Sequence, residues 1–67
     1  METLKKRFKY KKHEVVITTT LNGEVWTWLY TLDGLQTFAA VSLGHWTEVT
    51  AVIEATADAK KRIDEMA

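Results

Sequence analysis

Val25-Trp26-Thr27-Trp28-Leu29-Tyr30-Thr31-Leu32 is bounded by Asn22-Gly23 on one side and Asp33-Gly34 on the other. Trp26, Trp28, Tyr30 and Leu32 alternate with Val25, Thr27, Leu29 and Thr31. A period of two marks a strand with one face turned to a core. Asn-Gly and Asp-Gly are strong hairpin signals, because both central residues of a type I′ turn need positive φ. The run is therefore expected to be the middle strand of an antiparallel meander.

Its upstream neighbour is Val15-Val16-Ile17-Thr18-Thr19-Thr20, β-branched throughout and suited to a strand. A two-residue Asn22-Gly23 loop would pair Thr19 with Trp26, Ile17 with Trp28 and Val15 with Tyr30 on an apolar face. The other face would pair Val16 with Leu29 and Thr18 with Thr27. Lys11-Lys12-His13 is expected to kink this strand before Phe8 and Tyr10 resume the alternation.

The second turn sets the third strand, since a slip of one residue exchanges its faces. A two-residue Asp33-Gly34 loop sends Leu35, Thr37, Ala39, Val41 and Leu43 to the tryptophan face. A three-residue Leu32-Asp33-Gly34 loop with a bulge sends Gln36, Phe38, Ala40 and Ser42 there instead. The first set is the more uniformly apolar and is the expected one. It places Phe38 beside Leu29 and Val16 on the outer face, a stripe that one helix on the opposite side would leave open to a partner.

Beyond Gly44-His45-Trp46, Thr47 is a helix N-cap candidate with Glu48 near the positive end of the dipole. Val49, Val52, Ile53, Thr56, Ala59, Ile63 and Met66 recur at helical spacing as the expected buried stripe. The alanines would permit close approach to the large rings. Trp46, at the strand-to-helix junction, either caps the core or stands out as a contact residue. The expected fold is α+β, a three-stranded antiparallel meander packed against one C-terminal α-helix. It forms a single domain over 1–67, with a basic arm at 1–12, a sheet at about 8–43 and a helix at about 47–66.

With 67 residues and no cysteine, this core has no disulfide framework and no structural-zinc pattern to support it. Oligomerisation is the remaining device. The chain is neutral overall but uneven: residues 1–13 hold six cations against Glu2, net +5, and the remainder is net −5. Lys5, Lys6, Arg7, Lys9, Lys11 and Lys12 are interleaved with Phe8 and Tyr10, a composition able to meet phosphates or another anionic surface. As an edge strand, the same lysines would guard against aggregation. No charged leader with an apolar core and no membrane-length apolar run is present, and a cytoplasmic location is expected.

Chemistry has little to work with. His45-x-x-Glu48 offers two ligands and no third at a recognisable spacing. Ser42, the only serine, lacks the context of an activated nucleophile, and the glycines are accounted for by turns. Neither a catalytic residue nor a cofactor or metal site is expected, and the chain is read as a non-enzyme.

The order of strands, the Asp33-Gly34 turn and the helix start Thr47-Glu48-Val49-Thr50-Ala51 resemble HicB-like antitoxin domains and other small bacterial or phage βββα proteins. That resemblance implies a small inhibitor- or antitoxin-like module that binds a protein partner or oligomerises. The expected function is accordingly a protein-binding or homodimeric module acting through Val16, Leu29, Phe38 and Trp46. The alternative is a nucleic-acid-binding domain using the basic arm.

Overall fold

The computed structural model describes residues 2–39 and 47–66. Four strands, β1 (Glu2–Tyr10), β2 (His13–Asn22), β3 (Val25–Leu32) and β4 (Gln36–Ala39), form one antiparallel sheet in the order β1-β2-β3-β4. The helix α1 (Glu48–Met66) packs across β2 and β3. The architecture is α+β, with one more strand than the sequence led us to expect.

The additional strand is the basic arm. Tyr10 pairs with His13, so Lys11 and Lys12 form a two-residue hairpin where a kink was expected. Both have positive φ, 49° and 71°, a conformation usually left to Gly or Asn. Neither residue is of the Gly, Asn or Asp type that usually announces such a turn. Tertiary contacts hold it: the Lys11 ammonium lies 2.6 Å from Asp64, and the Tyr10 hydroxyl donates to the same carboxylate at 3.1 Å.

The middle hairpin is displaced by two residues from its expected register. Asn22 pairs with Val25, which makes Gly23-Glu24 the loop. Only Gly23 has positive φ, 70°, in keeping with a type II′ turn rather than I′. A shift of two preserves every face, so Val15, Ile17 and Thr19 still share a side with the rings, now opposite Leu32, Tyr30 and Trp28.

The third turn overturns the favoured register. Asp33 and Gly34 both have positive φ, and the Leu35 N–H donates to the Leu32 carbonyl at 3.0 Å, but strand pairing resumes only at Leu32–Gln36. Leu35 is left in solvent, 87% exposed. Phe38 pairs with Tyr30 on the helix side, its ring centroid 5.4 Å away. The bulky ring fills the core layer better than Leu35 would, and that outweighs the tidier pattern of the two-residue loop. Beyond Ala39, the expected continuation of this strand lies outside the described residues.

On α1, Thr47 caps the N-terminus: its Oγ1 accepts from the Thr50 N–H at 3.2 Å. The buried stripe is Ala51, Ala55, Ala59 and Ile63, spaced by four. Val49, Ile53 and Met66 of the expected stripe are 51–63% exposed. Trp28, Tyr30 and Phe38 already occupy the space between sheet and helix, so the helix face laid on them must be small. The core is Val15, Ile17, Trp28, Tyr30 and Leu32 beneath those alanines, with Phe8, Tyr10, Trp26 and Phe38 around it. No helix among the described residues is long and apolar enough to cross a membrane.

Candidate binding face

Cross-strand partners point to the same side, so the registers sort every strand residue onto one of two faces. The helix side takes Lys6, Phe8 and Tyr10 of β1, with Ile17, Val15 and His13. The other side, not covered by α1, takes Lys5, Arg7 and Lys9 of β1, opposite Thr18, Val16 and Glu14. Alternation thus sets Lys5, Arg7 and Lys9 apart from Phe8 and Tyr10, while Lys6 shares the aromatic side and the Lys11 ammonium lies over the Tyr10 ring.

The uncovered face has a regular make-up. Outward positions of β2 from Val16 to Thr20, and of β3 from Val25 to Thr31, are all Val, Thr or Leu. On β4 they are Thr37 and Ala39. Leu29 is the large apolar residue at the middle, 36% exposed, opposite Thr18 and diagonal to Val16. Phe38, expected here, is absent from this face because it lies against Tyr30, with the Arg62 guanidinium 3.8 Å from its ring centroid. Trp46 and His45 lie outside the described residues.

The cations divide by environment. Lys6 approaches Glu48 at 3.9 Å, and Lys11 is bound to Asp64, which raises the ammonium above its ordinary pKa and holds the carboxyl below its own. Lys5, Arg7 and Lys9 make no ion pair with any described residue. Successive ones are two residues apart on one strand, about 6.8 Å, which makes a straight positive column along the rim of the face.

The helix side carries a polar cluster that sequence reasoning missed. The Tyr30 hydroxyl donates to Asp58 Oδ2 at 2.5 Å and accepts from Arg62 Nε at 2.8 Å. Burial, then the Asp58 bond, raise the Tyr30 pKa. Asp58 and Arg62 border an open cleft of about 400 Å³ beside Trp28, whose Nε1 donates to Glu54 at 3.2 Å. The acid, hydroxyl and guanidinium bond to one another, and the cluster fastens α1 to β3. The i,i+4 spacing of Asp58 and Arg62 was readable; their convergence on Tyr30 depends on helix rotation.

A third polar junction sits at the same end of the sheet as the Lys11–Asp64 pair, between the start of β2 and the turn after β3. Asp33 accepts from the Glu14 N–H at 2.9 Å and lies 2.8 Å from His13 Nδ1; the His13 bond and then the backbone bond lower its pKa. Among the described residues, no three His, Cys, Asp or Glu side chains converge as metal ligands would. No family model matches this chain, and neither a curated protein nor a solved structure matches it.

Proposed function

We propose that this chain is a non-enzymatic binding module whose working surface is the helix-free face of the sheet, and that the face receives a second copy of the chain. One observation carries this reading: the centre of an open sheet face holds only Val, Thr and Leu, with charge confined to its margin, Lys5, Arg7 and Lys9 on the β1 rim and Glu14 at the start of β2. Ordinary solvated strands place charged residues on such positions, whereas interface cores are depleted of charge and ringed by polar groups. Four strands at about 4.8 Å by some eight residues give roughly 500 Å² a side, or about 1,000 Å² for a pair, the lower bound of a stable interface.

Charge selects between the two aligned ways of stacking the faces. A two-fold axis across the strands would lay the Lys5-Arg7-Lys9 column on its own copy. An axis along the strands lays it over the neutral β4, and this is the arrangement we favour. An inhibitor- or antitoxin-like role, implied by the HicB-like resemblance, is a use to which such a module would be put.

Sedimentation velocity across a concentration series tests the proposal. The parent chain should pass from monomer to dimer, and Leu29→Glu should remain monomeric with an unchanged circular dichroism spectrum. A parent that stays monomeric at the highest concentration sinks it.

The unpaired Lys5, Arg7 and Lys9 support a second reading, in which the rim binds nucleic acid through phosphates. No aromatic side chain occupies that face among the described residues, so base stacking would contribute nothing. Three contacts imply a log–log salt slope near about −2.7 on duplex DNA. Binding without that dependence excludes the column as the site.

A further inference from the structure

We infer that the outer edge of β1 captures an acidic, extended peptide segment by strand addition. The edge backbone is distinct from the stacked face proposed above, whose rim supplies the selecting cations, and the capture does not depend on self-association. Among the described residues β1 is the longer of the two edge strands, nine residues against four for β4. It pairs with β2 along its whole length, and its other side makes no backbone hydrogen bond with a described residue. Edges of this kind are usually blunted by a bulge, a proline or shortness. β1 has none of these.

What it has is charge, and charge discriminates among strands that would pair with it. A second β1 docked antiparallel about Arg7 would set Lys5 against Lys9 and Arg7 against itself, so the edge rejects its own copy. A strand with Glu or Asp at alternate positions would instead meet Lys5, Arg7 and Lys9 as cross-strand partners on the open face. Lys6, on the opposite face of the same strand, is engaged by Glu48, so the selecting charge lies on the open face. Main-chain bonds would supply affinity and the cations the choice of partner. An extended backbone edge matches a peptide better than a nucleic acid, since the aromatic residues of β1, Phe8 and Tyr10, face the helix.

The test uses four probes titrated into the labelled protein and followed by amide NMR: a capped nine-residue peptide alternating Glu and Thr, the same peptide with a central Pro, its Lys/Thr counterpart, and a mixed duplex oligonucleotide. The Glu/Thr peptide should bind, shift the β1 amides and slow their hydrogen exchange. The central Pro should weaken it about tenfold by removing ladder bonds, and Arg7→Glu should do the same. The Lys/Thr peptide should not bind. Equal binding of the Pro peptide would show attraction without strand addition and overturn the proposal. So would failure of the Glu/Thr peptide to bind, or shifts produced by the duplex alone.

Discussion

Tyr30→Phe removes one oxygen from the centre of the molecule and leaves the packing alone. The residue is fully buried, and its ring contacts with Trp28 at 5.8 Å and Phe38 at 5.4 Å need no hydroxyl. What is lost is a bond to the Asp58 carboxylate and a bond from the Arg62 guanidinium. The raised pKa keeps the phenol protonated, and therefore a donor, well into the alkaline range. Hydrogen bonds to charged groups contribute about 1.5–3 kcal/mol each. Asp58 and Arg62 are about 40% exposed and remain 3.6 Å apart, so water and their mutual contact recover much of the loss. The net cost should be about 2 kcal/mol, well below the sum of two such bonds. In a domain of this size that lowers the Tm by about 8–16 °C. Thermal unfolding by circular dichroism measures it, and the same substitution in an Asp58→Ala background should cost distinctly less. A Tm within about 2 °C of the parent, or full additivity, would show that the cluster does not fasten α1 to β3.

Two further outcomes follow from the turn geometry. Leu35→Ser should change stability by less than about 0.5 kcal/mol, whereas Phe38→Ala should cost about 2–3 kcal/mol for a half-buried ring; urea titration giving the reverse order would mean that β4 is out by one residue. Asp33 and Asp64 have lowered pKa values, so the stability they contribute is present above the unfolded carboxyl pKa near about 3.9 and is lost as the pH falls through their lower folded values. Asp33→Asn should flatten the acid limb of a Tm-against-pH curve, and an unaltered limb would show that the His13 and Glu14 contacts do not form in solution.

The parts legible in the sequence were those governed by period two. Val15, Ile17, Trp28 and Tyr30 were placed on the right face although the hairpin register was displaced, because a shift of two leaves alternation intact. Thr47 could be read as a cap because capping is local. Three readings failed, wholly or in part, where a choice depended on distant contacts. The Lys11-Lys12 turn has no turn residue and relies on Asp64, more than fifty positions away. The available signal was the polar pair itself, which separates Phe8 and Tyr10 from Val15 and Ile17 with the alternation kept on both sides. Leu35 and Phe38 were exchanged because both turns suit Asp-Gly, and only the space beside Tyr30 distinguishes them. Of the helix stripe, Ala59 and Ile63 are buried as expected, but Val49, Ile53 and Met66 are exposed, because the seat on Trp28 and Tyr30 demands small volume.

The same contacts bear on where binding should occur. β1 is joined to β2 by its ladder and to α1 through Lys6–Glu48, Tyr10–Asp64 and Lys11–Asp64, while the apolar body of the helix rests on β2 and β3. Its attachment beyond the ladder rests on the Phe8 and Tyr10 rings at the border of the core and on surface ion pairs, which contribute little each and weaken with salt. Regions of that kind open at lower free energy than a packed core. Two lysines at positive φ add backbone strain at the hairpin that starts β2. A strand held in this way gains from a partner on its free edge, since new ladder bonds would be added where the native ones are least supported. The Lys5-Arg7-Lys9 column would then favour acidic partners over copies of itself, and β1 would be the adjustable element of an otherwise closed core.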